Sequence, residues 1–283
     1  MNVNRMKLNN GLEIPKLGFG TIGQAGDLIT DNVAFALHHG YELIDTANRY
    51  GNEVEVGLGL KKSGMKREDY FLETKLGPTL YEKDSAIDDT LVRLGVDYID
   101  VMLLHHPVNN YLYAWGMLEK AYKEGKIRAI GLSNFQTDQI QEVIDQGEIR
   151  PMIMQVECHP YFPAETRKPY CDANDIRLQS WFPLGHGSPE MLSEPVLVQM
   201  AEKYGKSTVQ IVIRWHIQMG FGLVPGSKSH GHIEDNAKVF DFQLTEEEMA
   251  LIATLNKHEP FYKVTKESLH KMAVTKCNFE EQI

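Results

Sequence analysis

The amino-acid sequence predicts a (β/α)8 barrel of the TIM type, an α/β fold, from two observations. Eight short apolar runs typical of buried strands recur along the 283 residues, and segments with helical periodicity lie between most of them. In nearly every run an unusual polar residue stands at the C-terminal end, and a closed barrel brings those ends together at one mouth. A doubly wound sheet shares the alternation but concentrates its chemistry near one switch point. We therefore expect one barrel domain over residues 1–283.

The elements follow one another in a regular order. The N-terminal segment MKLNNGLEIP carries an Asn-Gly turn signal and predicts a β-hairpin, which we expect to close the bottom of the barrel. The strand runs are IPKLGFGT, YELIDTA, YFLETKL, IDVMLLHH, IRAIGLSN, MIMQVECH, IRLQSWFP and FGLVPGS. The helical segments include TDNVAFALHHG, SAIDDTLVRLG, AWGMLEKAYKEG, TDQIQEVIDQG, VLVQMAEKYG and STVQIVIRWHIQMG. Beyond about Lys257 the polar tail is expected to form a loop or a short helix over the barrel surface.

Composition and charge favour a small-molecule partner. The net charge of −10 argues against binding of nucleic acid or an anionic membrane as the main task. Cys158, Cys171 and Cys277 have neither metal-ligand spacing nor an even-numbered disulfide framework, so we expect free thiols in a reducing compartment. The sequence has no apolar signal-peptide run and no stretch of about 18 uncharged apolar residues that could span a membrane. We expect a cytoplasmic monomer or weak homo-oligomer.

The stretch GFGTIG, residues 18–23, has the G-x-G-x-x-G spacing of dinucleotide-binding turns, and Asp45 follows at a suitable distance. That interpretation also needs a buried strand directly before the glycines and a helix that starts within them. Pro15 and Lys16 interrupt the strand, and QAGDLIT is expected to be a loop before a helix begins at about Asp31. We therefore expect these glycines to allow close approach of a strand end and a loop, not to bind a pyrophosphate.

Four polar residues at or near strand ends suit the reduction of a carbonyl group. Tyr50 can donate the proton, although its ordinary pKa of about 10 makes it a weak acid at neutral pH. A neighbouring Lys75 ammonium would lower that pKa, Asp45 would hold the ammonium in place, and His105 could donate a hydrogen bond to the substrate oxygen. The spacing alone leaves a second chemistry open, since a strand-end lysine in a barrel also suits a Schiff-base lyase.

These motifs resemble those of the aldo-keto reductases, over about Met6 to Lys257. The stretch GYELIDTANRYGNEVEVG resembles the first family signature, LETKL and LLHHP supply its lysine and histidine, and IRAIGLSNF resembles the second signature. QSWFPLGHG and FDFQLTEEEM are similar to the prokaryotic diketogluconate-reductase-like branch. The resemblance implies metal-free, reversible reduction of an aldehyde or ketone, such as a keto-sugar or diketone, by NAD(P)H. The catalytic residues that it implies are Asp45, Tyr50, Lys75 and His105, with Tyr50 as general acid.

The resemblance also implies how a nicotinamide cofactor is held. Ser133, Asn134 and Gln155 match the positions that bind the carboxamide, and Trp181 matches the aromatic residue that stacks on the ring. The implied cofactor-binding set is Thr21, Asp45, Ser133, Asn134, Gln155, Trp181, Pro183, Leu184, Gly185, Gly187, Gly226, Ser227, Lys228, His232, Asp235 and Asn236. The implied substrate-binding set is Ile22, Asn48, Tyr50, His105 and His106.

Two departures from the family pattern concern specificity. In VPGSKSHGHIEDN, Gly226 and His232 stand where a lysine and an arginine are expected to bind the 2′-phosphate of NADPH. Charge-assisted hydrogen bonds contribute about 1.5 to 3 kcal/mol each, so NADH should be usable or preferred unless Lys228 or a histidine replaces the missing charge. His106 stands where tryptophan is common, which predicts a smaller and more polar pocket wall. A cofactor-binding regulatory protein on the same barrel remains an alternative function.

Overall fold

The computed structural model describes residues 4–277 and residue 279. Within that range, parallel strands from all eight predicted runs form one sheet in which each strand pairs with the next along the chain. These strands are β3 (Phe19–Gly20), β4 (Leu43–Asp45), β5 (Phe71–Leu76), β6 (Val101–Leu104), β7 (Ile130–Ser133), β8 (Ile153–Glu157), β9 (Arg177–Trp181) and β10 (Gly222–Leu223). The predicted strand order of the barrel is confirmed.

The barrel closes between its first and last strands. Leu17 and Leu223 form a parallel bridge, and the Gly18 amide donates to the Leu223 carbonyl over 2.9 Å. A Cβ atom on Gly20 would lie 2.5 Å from the Val224 carbonyl oxygen, which is closer than Cβ atoms approach other atoms. Gly18 and Gly20 of GFGTIG therefore allow the close approach that seals the barrel, as the sequence predicts, whereas Gly23 has open space around it.

Helices surround the sheet and connect its strands. They are α1 (Gly26–His38), α2 (Glu53–Ser63), α3 (Ala86–Leu94), α4 (Tyr111–Lys123), α5 (Thr137–Gln146), α6 (Arg167–Ala173), α7 (Pro189–Leu192), α8 (Pro195–Tyr204), α9 (Thr208–Gln218), α10 (His230–Ala237), α11 (Glu246–Ala253) and α12 (Lys266–Val274). No helix in the described part of the chain is long and apolar enough to cross a membrane.

Helix α1 begins earlier than predicted. The sequence predicts a loop up to about Asp31, whereas the helix starts at Gly26 after an extended Ala25. The reason is the burial of Ile29, which packs in the core one turn before Val33 and so extends the apolar face of the helix toward its N-terminus. The expected loop between the glycine motif and the first helix is therefore short.

The predicted N-terminal hairpin lies across the N-terminal ends of the barrel strands. Its strands β1 (Arg5–Lys7) and β2 (Glu13–Pro15) are antiparallel. In the turn between them, the Asn9 side chain donates to the Pro151 carbonyl over 3.0 Å and the Asn10 side chain donates to the Arg128 carbonyl over 2.9 Å. Each carbonyl lies two residues before a barrel strand, β8 and β7 respectively, so the hairpin closes the bottom of the barrel.

The C-terminal tail crosses the opposite end. The Phe261 amide donates to the Glu157 carboxylate at the end of β8 over 2.6 Å. Farther along, the Arg49 guanidinium donates to the Met272 carbonyl near the end of α12 over 3.0 Å. The expected loop and short helix are confirmed, and they lie over the mouth formed by the C-terminal strand ends.

Candidate active site

A cavity of about 1070 Å³ opens at the C-terminal mouth of the barrel. It is lined by residues that follow most of the barrel strands, together with Tyr262 and Met272 from the tail. Its lining includes these predicted site residues: Ile22, Asp45, Tyr50, His105, His106, Ser133, Asn134, Gln155, Trp181, Pro183, Leu184, Gly187, Gly226, Ser227, Lys228, His232, Asp235 and Asn236. The closed barrel thus brings together side chains that are up to about two hundred positions apart in the sequence.

At the bottom of this cavity, three of the predicted catalytic residues are in contact. The Lys75 ammonium lies 2.5 Å from an Asp45 carboxylate oxygen and 3.4 Å from the Tyr50 hydroxyl. It also donates to the Thr46 carbonyl over 3.0 Å. Asp45 ends β4 and Lys75 lies on the neighbouring strand β5, so parallel pairing alone places the two charges on adjacent strands. Tyr50 reaches them from a 3₁₀ turn, Asn48–Tyr50, just after β4.

The protonation of this group follows from its burial. Burial by itself would lower the pKa of Lys75, but the Asp45 carboxylate opposes it and the net pKa lies above the ordinary lysine value. Burial raises the pKa of Tyr50, and the Lys75 ammonium offsets part of that rise. The expected influence of Lys75 on the phenol is therefore present, but burial outweighs it. Lys75 is charged and Tyr50 holds its proton at neutral pH.

His105 faces the phenol from the next strand. Its ring meets the Tyr50 ring edge-on, with centroids 5.8 Å apart and planes at 79°. Burial lowers the pKa of His105 well below the ordinary value, and burial followed by the charges of Arg49 and Lys75 lowers the pKa of His106 to about 3. The two imidazoles stack with centroids 4.6 Å apart. Both are neutral, so His105 can donate one N–H to an acceptor without carrying a charge.

Side chains at the ends of β7 and β9 and a backbone carbonyl after β6 form a connected platform. The Trp181 indole N–H donates to the Asn134 side-chain oxygen over 2.9 Å, and the Asn134 amide donates to the Ser133 hydroxyl over 3.0 Å and to the His105 carbonyl over 3.1 Å. Asn134 has φ of +68°, a left-handed conformation that asparagine tolerates better than most residues. This network fixes Trp181 beside His105.

Gln155 points its amide nitrogen into the barrel. That nitrogen lies 3.1 Å from Asp45, 2.7 Å from Glu73 and 2.6 Å from the side-chain oxygen of Gln179. The resemblance implies that Gln155 binds a carboxamide, whereas in this structure its amide nitrogen is used inside the barrel. Glu73 and Gln179 are buried at this level and are absent from the sequence-based prediction.

Four predicted residues do not line the cavity. Lys75 lies beneath its floor, and Thr21 is buried with a side-chain hydroxyl that has no hydrogen-bond partner within the described range. Gly185 is covered by the Phe261 ring, which a Cβ atom there would meet at 2.5 Å. Asn48, predicted to contact substrate, instead donates to Glu53 over 2.8 Å and to Thr90 over 3.1 Å. Asn48 therefore ties the turn that carries Tyr50 to α2 and α3, because its polar atoms are satisfied there.

The region predicted to lack 2′-phosphate ligands follows β10. A Cβ atom on Gly226 would lie 2.6 Å from the Gly20 carbonyl oxygen, so barrel closure leaves no room for a side chain at this position. Lys228 and His232 are exposed at the cavity edge. His230 stacks on Phe35 with ring centroids 3.9 Å apart, and it is therefore engaged in packing against α1.

Sequence reasoning missed several residues of the cavity wall. Arg49, Phe182, Tyr262 and Met272 all line it. Arg49 could have been predicted from the sequence, because it is a cation directly before Tyr50 in the first signature. The sequence carries no local signal for the two tail residues, because their place over the mouth depends on long-range contacts.

With the geometry established, the chain can be compared with known proteins. A sequence model described as the Aldo/keto reductase family matches residues 16–257. The chain belongs to the aldo/keto reductase family. This confirms the resemblance found in the sequence, and it makes the protein an oxidoreductase of a family that uses NAD(P)H to reduce small carbonyl compounds.

Individual relatives cover nearly the whole chain. Glyoxal reductase of Bacillus subtilis (strain 168) is 42% identical over 259 residues, which is 90% of this chain and 93% of that protein. Methylglyoxal reductase of Escherichia coli (strain K12) is 36% identical over 256 residues, 89% of this chain and 93% of that protein. Both are similar to this aldo/keto reductase, in agreement with the expected prokaryotic branch.

Solved structures share the fold. An aldo/keto reductase from Brucella melitensis aligns with a TM-score of 0.85 at 37% identity, covering 89% of this chain and 99% of that one. An aldo-keto reductase of Bombyx mori in complex with NADP aligns with a TM-score of 0.87 at 32% identity, covering 92% and 95%.

Proposed function

We propose that this aldo/keto reductase uses Tyr50 as the general acid when it reduces an aldehyde or ketone to an alcohol. The observation that carries the proposal is the contact chain at the cavity floor, in which Asp45 holds Lys75 and Lys75 approaches the Tyr50 hydroxyl. A general acid must lie within reach of both its stabilising partner and the substrate. Tyr50 meets both requirements, because it lines the cavity and contacts the ammonium.

The residues present fit a nicotinamide cofactor. The buried, unpartnered hydroxyl of Thr21 supplies a free polar group near the cavity, and the Ser133–Asn134–Trp181 platform offers amide, hydroxyl and aromatic surfaces. Ser133 and Asn134 would hold the carboxamide, Trp181 the ring, Pro183–Gly187 the pyrophosphate and residues 226–236 the adenosine end. When bound, the cofactor supplies the hydride.

Each protein group then has one task. Tyr50 transfers its proton to the carbonyl oxygen, and the Lys75 ammonium stabilises the phenolate that forms. Asp45 keeps Lys75 charged and in position. Neutral His105 donates a hydrogen bond to the same carbonyl oxygen, which orients the carbonyl before proton transfer.

We infer that the substrate is a small polar carbonyl, such as a 2-oxoaldehyde, diketone or keto-sugar. The relatives named for glyoxal and methylglyoxal reduction support this class. The cavity supports it too, since His106 and Arg49 give its wall polar and charged groups. An apolar substrate would cover the His106 ring without offering its nitrogen atoms a hydrogen-bond partner, at a cost in binding free energy.

The direct test is a panel of such carbonyls assayed with NADH and NADPH in parallel. We expect turnover of at least one 2-oxoaldehyde or diketone. Absence of turnover with every carbonyl and both cofactors, while cofactor still binds, would favour the regulatory alternative.

The structure disfavours the Schiff-base alternative. A lysine forms a Schiff base through its neutral amine, and the Asp45 carboxylate raises the pKa of Lys75. We therefore expect borohydride to leave Lys75 unmodified in the presence of a carbonyl substrate. Mass spectrometry of the treated protein checks this, and a reduced adduct on Lys75 would revive the lyase.

The cofactor preference is a separate prediction. Because Gly226 has no side chain and barrel closure excludes one, we expect kcat/KM for NADH to lie within a hundredfold of that for NADPH, or above it. Steady-state kinetics with both cofactors measures the ratio. An NADPH efficiency more than a hundredfold above that of NADH would show that Lys228 or His232 replaces the missing ligands.

A further inference from the structure

A second carboxyl group lies directly beneath the catalytic charges. Glu73 faces Asp45 across the parallel ladder between β5 and β4, and the Gln155 amide nitrogen lies within 3.1 Å of a carboxyl oxygen of each. From across the barrel, Gln155 reaches one oxygen of Glu73 over 2.7 Å, and Gln179 reaches the other over 3.1 Å. The exposed fraction of Glu73 is 0%, so no bulk water reaches it.

The charge balance of this cluster allows only one ionised carboxyl group. Asp45, Glu73 and Lys75 are all buried, and Lys75 is the cation that acts on both carboxyl groups. The other titratable neighbour is the Tyr50 phenol, while β8 and β9 contribute only the neutral amides of Gln155 and Gln179. Two carboxylates beside one ammonium would leave a net negative charge in the barrel interior, at a large desolvation cost.

The hydrogen-bond count points to the same state. The Gln155 amide nitrogen has two hydrogens, yet three acceptors lie within 3.1 Å of it, on Asp45, Glu73 and Gln179. With two hydrogens for three acceptors, the Gln155 amide leaves one acceptor of this group without a donor. A proton on Glu73 would fill the gap. Burial, followed by the charge of Asp45, raises the pKa of Glu73 well above its ordinary value.

We propose that Glu73 is a neutral carboxylic acid in the folded protein, that it donates its proton in a hydrogen bond to Asp45, and that it thereby positions the Asp45–Lys75 pair behind Tyr50. Glu73 is a positioning residue, since it acts on the reaction through Asp45. The neutral state also removes a charge that would oppose phenolate formation, because an ionised Glu73 raises the pKa of Tyr50.

Proton linkage tests the protonation state without any assay of activity. In the unfolded chain a glutamate ionises at about pH 4.3, so a neutral Glu73 must take up a proton when the chain folds. Above that pH the native state then binds more protons than the unfolded state, and wild-type stability falls as pH rises. Glu73→Gln removes the titration. We expect the ratio of the folding constant of Glu73→Gln to that of wild type to increase about tenfold per pH unit from pH 5 upward.

The direction in which this ratio changes with pH decides whether Glu73 is neutral or ionised in the folded protein. A flat ratio, or one that decreases with pH, would show that Glu73 is ionised in the folded protein and would overturn the proposal. Glu68→Gln, at an exposed position shortly before β5, is the matched control and should give a flat ratio. If Glu73→Gln does not fold, carboxyl ¹³C NMR of the wild-type protein replaces it. A resonance at the neutral-acid shift near pH 7, assigned through its contact with the Gln179 amide, is expected, and an ionised shift contradicts the proposal.

The positioning role of Glu73 rests on the proposed function, and it is tested separately by measuring kcat and the cofactor Kd. Glu73→Ala removes the donor to Asp45, so we expect kcat to fall about 10- to 100-fold while the cofactor Kd is unchanged, with Gln keeping more of kcat than Ala. Equal losses in the two variants would overturn the positioning role. If wild type reduces no carbonyl, the proposed function fails, but the linkage experiment still reports the protonation state of Glu73.

Discussion

At the scale of single residues, the buried Asp45–Lys75 pair is the feature on which the catalytic assignment depends. Both side chains are almost fully buried, and each charge has the other as its principal partner. Such a pair adds little net stability compared with apolar residues, but removal of one partner leaves an uncompensated buried charge. Loss of either residue is therefore expected to lower both the stability of the fold and the rate of catalysis.

A double-mutant cycle measures the coupling between the two residues. We expect Asp45→Asn and Lys75→Met each to lower the free energy of unfolding by about 3 to 5 kcal/mol, because each separates one buried charge from its principal partner. The double variant should be more stable than the sum of the two losses predicts. Denaturant unfolding of the four proteins gives the coupling energy. Additive losses would mean that the two side chains do not interact in the folded protein.

At the scale of elements, the Arg49 guanidinium ties α12 to the turn that carries Tyr50. Arg49 donates to the Met272 and Thr275 carbonyls at the end of α12, over 3.0 and 3.5 Å, and it is the residue before Tyr50. A cation at a helix C-terminus is favourable because the terminal carbonyls carry partial negative charge. The tail is thus held over the mouth by the same turn that presents the general acid.

Loss of this tether should loosen the tail. Hydrogen bonds to charged groups contribute about 1.5 to 3 kcal/mol, so Arg49→Gln should raise the rate of proteolytic cleavage within residues 258–277 by about 10- to 100-fold. Limited proteolysis with mass spectrometry locates the cut. Arg5→Gln, in the hairpin at the opposite end of the barrel, is the control and should leave tail cleavage unchanged. Equal cleavage of the tail in Arg49→Gln and wild type would show that other contacts hold it.

At the scale of the whole molecule, the sequence predicts those features that depend on local patterns. Apolar runs ending in polar residues predict eight strands and one mouth, and the first signature together with LETKL predicts that Asp45, Tyr50 and Lys75 act as one group. The start of α1 was predicted too late because Ile29 belongs to the core, which a polar-looking segment does not reveal.

Features that depend on tertiary contacts could not be predicted in this way. Asn48 lies next to the catalytic turn in sequence, yet its side chain packs toward α2 and α3, since Glu53 and Thr90 are there to accept its hydrogen bonds. The role of Glu73 depends on Gln155 and Gln179, which come from strands about 80 to 110 residues away in the chain. The tail lies over the mouth because Glu157 accepts from its backbone, a contact without a local signal.

The central claim is that Tyr50 supplies the proton, and Tyr50→Phe tests it most directly. The substitution removes only the hydroxyl, so the aromatic packing against His105 can persist. We predict that kcat for carbonyl reduction falls about 10²- to 10⁴-fold, the usual contribution of a general acid, while the cofactor Kd, measured by quenching of tryptophan fluorescence, stays within about twofold of wild type. A Tyr50→Phe variant with near-normal kcat would contradict the assignment of Tyr50 as the acid.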